Sequence, residues 1–168
     1  MLSAVANEIE REGFKVIGVD ELLSDLLAPE GCFGQHAPSQ QDMKNVREGI
    51  KKALIHGQQD KGQAVVILNE RIIGTEDRNG TDELIKKCGK KSAFRENPIL
   101  IKIKKPCQDR RIDLRSIGAR TVELGAEYGY SGIAIETGHT LIIDKEQVKN
   151  IADKYGLFIL GTKLGDGE

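Results

Sequence analysis

Two periodicities alternate along this chain, and their interleaving restricts it to few folds. Leu2, Val5, Ala6 and Ile9 recur at helical spacing and stop near Gly13. Phe14–Gly18 reads as a short strand, and Leu22, Leu23 and Leu26 as a helical turn. Residues 28–40, holding Pro29, Gly31, Gly34 and Pro38, form the longest predicted loop. Ser39, with Asp42 three residues on, caps a helix that runs to about Gly57. Gln63–Leu68 and Arg71–Glu76 predict a hairpin turning at Asn69-Glu70. Then come a helix over Thr81–Cys88, a strand over Pro98–Lys104 and a helix over Ala119–Tyr128. Ile133–Glu136 and Thr140–Ile143 are strands around Gly138. Asp144, with Gln147 three later, caps a helix to Tyr155, and Leu157–Leu160 is the last strand. Such alternation predicts an α/β fold, a single domain with a mixed β-sheet packed by helices. Val65, Val66, Ile67, Ile101, Ile103, Ile133 and Ile135 are too apolar to leave in water. Strands 63–68, 98–104 and 132–136 should therefore share one sheet, covered by helices 41–56 and 144–155.

Composition narrows the function. A net charge of −1 gives no global field for nucleic acid or an anionic membrane, so any anion site must be local. Trp is absent and the four Phe and three Tyr do not interleave with the basic residues, which argues against RNA binding. Cys32, Cys88 and Cys107 are odd in number and widely spaced, which speaks against a disulfide framework or structural zinc and for a reducing compartment. No apolar run has the length of a signal or membrane segment. The expectation is a soluble, cytoplasmic domain.

One stretch concentrates chemistry. Lys104–Gly118, KKPCQDRRIDLRSIG, places Asp109 and Asp113 among Lys104, Lys105, Arg110, Arg111 and Arg115, with the breaker Pro106 ahead. Alternating Ile99, Ile101 and Ile103 lead into it like a half-buried strand, so the charges begin at a strand end. Carboxylates can hold a divalent metal or activate water, and cations can grip phosphate oxygens. The plainer reading is a solvated loop with paired surface charges. Gly80-Thr81-Asp82 also has two readings: Thr81 as an N-cap with Asp82 on the helix dipole, or helix amides offered to a phosphate. Lys102 reads as ordinary solvated charge on the polar strand face.

The loop resembles the signature of the carboxy-terminal domain of bacterial UDP-2,3-diacylglucosamine diphosphatases of the LpxI type, through Lys105, Pro106, Gln108, Asp109, Arg111, Asp113 and Gly118. It departs at Arg115, where that family often has proline. Leu26–Gly31 (LLAPEG), Asp60–Gln63 with Val65-Val66, and Gly80–Asp82 are similar to further family motifs. Gly132–Ala134 with Glu136, and the closing Gly156–Phe158, fit as well, so collinear matches run from about residue 10 to 161. The resemblance implies hydrolysis of the UDP-2,3-diacylglucosamine diphosphate to 2,3-diacylglucosamine 1-phosphate (lipid X) and UMP, a step of lipid A biosynthesis. It implies a divalent cation, Mg2+ or alternatively Mn2+ or Co2+, held by Asp109 and Asp113, which are also the expected catalytic carboxylates. Gln63, Thr81, Asp82, Lys105, Gln108 and Arg111 become the expected substrate-binding residues. The partner implied is a glycolipid nucleotide, with peripheral contact at the inner membrane.

The family enzymes also carry an amino-terminal Rossmann-like domain, so residues 1–13 read as a remnant linker or helix, 14–161 as the family domain and 162–168 as a flexible tail. The alternatives are a domain that binds a lipid phosphate or sugar nucleotide without turnover, and a homodimeric structural module. Other motifs fail. There is no phosphate-cradling G-x-x-x-x-G-K-[ST]. The run from Asp77 has glycine at the fourth place of a calcium loop rather than the sixth, and its twelfth place is Cys88 where Glu is needed. His36, His56 and His139 are isolated and read as surface or helix-end residues.

Overall fold

A computed structural model describes residues 2–58, 64–89, 97–103 and 114–164. Helix α1 (Leu2–Arg11) is followed by the short α2 (Val19–Leu22) and a 3-10 turn at Ser24–Leu26. Strand β1 (Gly31–Cys32) precedes the long helix α3 (Gln40–Gln58). A hairpin of β2 (Ala64–Leu68) and β3 (Arg71–Thr75) leads to α4 (Gly80–Gly89) and β4 (Ile99–Lys102). Then follow β5 (Arg115–Ile117), α5 (Ala119–Glu127), β6 (Gly132–Glu136), β7 (Thr140–Ile142), α6 (Lys145–Tyr155) and β8 (Phe158–Thr162).

Six strands form one mixed sheet in the order β1-β8-β6-β4-β2-β3. Its centre is parallel, β8 with β6 and β6 with β4, and its flanks are antiparallel. The expected grouping of the three central strands is thus found. Strand alternation sorts the core into two layers. Val65, Ile67, Ile99, Ile101 and Ala134 pack in the layer that holds Val46 and Ala53 of α3. Val66, Leu100, Ile133, Ile135 and Ile159 pack in the layer that holds Leu84, Val122 and Val148 of α4, α5 and α6. Helices therefore cover both faces, and β4 is buried on both sides rather than half-buried as its isoleucine alternation predicts. Gly49 explains how closely α3 can approach: a Cβ there would stand 2.1 Å from Ile101 Cδ1.

The caps are local consequences of sequence. Ser39 and Asp42 cap each other, with Ser39 N donating to Asp42 Oδ2 at 3.0 Å and Asp42 N to Ser39 Oγ at 3.1 Å. Asp144 accepts from Gln147 N at 3.1 Å. At the hairpin, Asn69 and Glu70 both take positive φ, 49° and 59°, as a type I′ turn demands. The buried Asn45 of α3 accepts from Glu70 N at 2.7 Å and holds the turn against the helix.

Three further expectations change. Phe14–Gly18 forms no strand, and Phe14 is 69 % exposed: among the described residues no strand lies alongside to complete its hydrogen bonds. The loop at 28–40 contains β1, which pairs with β8 across Gly31 and Gly161. Residues 115–117, read as the end of the charged loop, form β5, which pairs in parallel with β7 beside the main sheet.

Candidate functional site

The parallel strands β4, β6 and β8 end together, at Lys102, Glu136 and Thr162. The C-terminal edge of such strands is where α/β sheets commonly bind ligands, because helices start there and loops converge. Ala64 opens β2 directly opposite Lys102, and its carbonyl accepts from Glu76 N at 2.8 Å, drawing the end of the hairpin to the same place.

Gly80 has φ +84°, a left-handed geometry suited to glycine, and it turns the chain into α4. Its neighbour Thr81 does not act as the expected N-cap. The hydroxyl instead donates back to Glu76 Oε1 at 2.5 Å. Its oxygen in turn accepts from Lys102 Nζ at 3.1 Å, and the same ammonium donates to the Ser116 carbonyl at 3.1 Å. One side chain thereby ties α4, β4 and β5 together. Asp82 lies in the first turn of α4, where it complements the helix dipole, with Arg120 Nε 3.9 Å away.

Lys102 corrects its reading as solvated charge. It shares the strand face of Leu100, under α4 and α5, and burial holds its ammonium below the ordinary lysine range. Arg115 pushes in the same direction, while Glu76 and Asp82 oppose it. Arg115 itself is only 3 % exposed, on β5 opposite the fully buried Thr140. Glu136, 6 % exposed at the end of β6, has His139 Nε2 at 3.7 Å, so this histidine is half-buried beside a carboxylate rather than isolated on the surface.

Of the expected site residues, Thr81 and Asp82 fall in this cluster. Gln63, Lys105, Gln108, Asp109, Arg111 and Asp113 lie outside the described residues. Nearby Ala64, Ile103 and Leu114 are described, and Ala64 lies at the same sheet edge, paired with Lys102. No group of three or more His, Cys, Asp or Glu able to hold a metal occurs among the described residues. Nor is any described helix long and apolar enough to cross a membrane. Sequence reasoning missed Glu76, Lys102 and the Ser116 carbonyl. Lys102 did carry a signal, since a lysine on a strand with apolar residues on both faces must find buried partners.

Comparison with known proteins adds two findings. A family model described as the LpxI C-terminal domain matches residues 29–160. The UDP-2,3-diacylglucosamine pyrophosphatase LpxI of Caulobacter vibrioides is 32 % identical over 168 residues, an alignment covering 96 % of this chain and 60 % of that protein. The chain thus spans about three fifths of the length of the curated relative it matches.

Proposed function

Because this chain belongs to the LpxI family through its carboxy-terminal domain, we propose that it serves lipid A biosynthesis by hydrolysing the diphosphate of UDP-2,3-diacylglucosamine. The products are 2,3-diacylglucosamine 1-phosphate and UMP. The observation that carries this reading is the family match over residues 29–160, which contains the entire Lys104–Gly118 signature. The described geometry supports it, since the signature joins β4 to β5 and so departs from the strand end where Lys102, Thr81 and Asp82 gather.

In this proposal water attacks the phosphorus of the UMP half. Asp109 would orient the water or accept its proton, Asp113 would serve as a second carboxylate or an orienter, and Lys105 and Arg111 would bind the phosphate oxygens, where negative charge grows in the transition state. Two carboxylates with phosphate oxygens and waters suit magnesium, so Asp109 and Asp113 would hold it. When bound, the ion supplies charge neutralisation at the diphosphate. The substrate's acyl chains bring the protein to the cytoplasmic face of the inner membrane as a peripheral partner.

The groups that Lys102 gathers at the sheet edge would equally serve a second reading, a domain that binds the glycolipid nucleotide without turning it over. Incubating the purified chain with UDP-2,3-diacylglucosamine and Mg2+, and following UMP by mass spectrometry, separates the two. UMP release that disappears in Asp109→Ala supports the hydrolase. Retention of intact substrate by the wild-type chain, without UMP, supports the binding domain.

A further inference from the structure

The geometry points to Lys102 as the cation that grips a phosphate of the bound diphosphate at the start of α4, with Thr81 and the Ser116 carbonyl as the positioning groups that aim it. The inference rests on the proposed diphosphate substrate and names a residue outside the signature loop.

Hydrogen-bond direction carries the argument. The Thr81 hydroxyl gives its one proton to Glu76 Oε1, 2.5 Å away, and takes a Lys102 N–H on its oxygen. It therefore has no proton left for a phosphate oxygen. Lys102 has three N–H bonds and spends two, on Thr81 Oγ1 and the Ser116 carbonyl, each at 3.1 Å. Among the described residues nothing takes the third, and no carboxylate forms an ion pair with the ammonium. Both acceptors are anchored, Thr81 in the first turn of α4 and Ser116 in the middle of β5. The direction of the remaining N–H is thus set by two elements rather than by a flexible side chain.

Charge points the same way. An ammonium drawn out of water without a paired carboxylate gains more from an incoming anion than a solvated one does. The carboxylates facing it are partly answered, Glu76 by the Thr81 hydroxyl and Asp82 by Arg120 at 3.9 Å. Arg115 adds positive potential from β5. The first amides of α4 stand beside Thr81 and add to the field without having to define the site alone.

Titration calorimetry with inorganic diphosphate tests this. Wild-type protein should bind it, and Lys102→Met should weaken binding by about 10- to 100-fold, the range of a hydrogen bond to a charged group. Thr81→Val should weaken it less, and should add nothing in the Lys102→Met background, because Thr81 acts through Lys102. Lys102→Met removes a desolvated charge, so circular dichroism should show a retained fold. As a check independent of folding, the Lys102 Cε resonance of 13C-labelled wild-type protein should titrate at higher pH with diphosphate bound. UMP and glucosamine 1-phosphate, used as separate probes, identify which phosphate is held by which of them loses affinity in Lys102→Met. Wild-type protein that ignores diphosphate, an unmoved Lys102 resonance, or unchanged affinity for all three probes in folded Lys102→Met overturns the inference. The two proposals fail separately. Hydrolysis of UDP-2,3-diacylglucosamine with the same KM and kcat in Lys102→Met removes this one and leaves the reaction. Diphosphate binding through Lys102 without hydrolysis removes the reaction and leaves this one.

Discussion

At the scale of single residues, burial decides what each polar group can do. Tyr130 is 4 % exposed and donates to the Ile85 carbonyl at 3.1 Å. Burial pushes its phenol well above the usual tyrosine value, with Cys88 adding to the effect. The sign of the linkage follows. A group whose folded pKa is raised gives its full stability below the unfolded value of about 10, and loses it as pH rises further and the unfolded chain ionises. The unfolding free energy from urea melts should therefore fall above pH 10, by up to about 1.4 kcal/mol per pH unit from this residue. Tyr130→Phe should lose about 1 kcal/mol at pH 7 through the missing hydrogen bond, yet show a shallower alkaline decline. Equal slopes in the two proteins would mean that Tyr130 is not the titrating group. Asp109→Ala tests a different kind of residue. It should lower turnover by about 10²–10⁴ and change stability by less than about 1 kcal/mol. Near wild-type turnover in that variant would leave the signature as charged surface. Asp109 was singled out from the sequence because it belongs to a motif, and it lies outside the described residues. Lys102 was not singled out, because what matters about it is the hydroxyl and carbonyl brought to it by α4 and β5.

Among elements, the hairpin shows how local chemistry and tertiary contact share the work. Its two-residue turn was legible from the breaker-like Asn69 between two apolar runs, but the second position holds Glu70, a poor residue for φ 59°. Asn45 compensates by accepting from Glu70 N at 2.7 Å, and Lys52 donates to the Glu70 carbonyl. Glu70→Gly should thus gain up to about 1 kcal/mol, and Asn45→Ala should lose about 1–3 kcal/mol by stranding a turn amide. Thermal melts of both variants give the signs. A destabilised Glu70→Gly would show that the turn is less strained than its φ implies. Helices and central strands were readable because their caps and apolar runs are consecutive in sequence. β1 and β5 were not, being two and three residues long. They are strands only because β8 and β7 lie alongside, a pairing that no local periodicity reports. The opposite error at Phe14–Gly18 has the same origin: apolar alternation without a partner strand stays irregular.

For the whole molecule, topology narrows where an anionic ligand would bind more than any one contact does. Three parallel strands share a direction, so their C-terminal ends form one edge and their N-terminal ends, at Ile99, Gly132 and Phe158, form the other. The two edges differ chemically. The C-terminal edge carries Lys102, Glu136 and the start of α4, and the signature leaves from it; at the N-terminal edge Ser131 accepts from Phe158 N at 3.1 Å and donates to the Pro98 carbonyl at 2.9 Å, closing its backbone groups on one another. An anionic ligand gains from free donors and unpaired cations, and it gains nothing where the donors are already spent. Adding inorganic diphosphate to 15N-labelled protein should therefore shift the amides of Thr81, Asp82, Lys102, Ser116 and Thr137, and leave those of Ile99, Ser131 and Phe158 in place. Shifts confined to the second group would put the ligand at the wrong end of the sheet and remove the site along with the function built on it. Shifts at the first group that vanish in Lys102→Met would join the sheet edge to the side chain that works there.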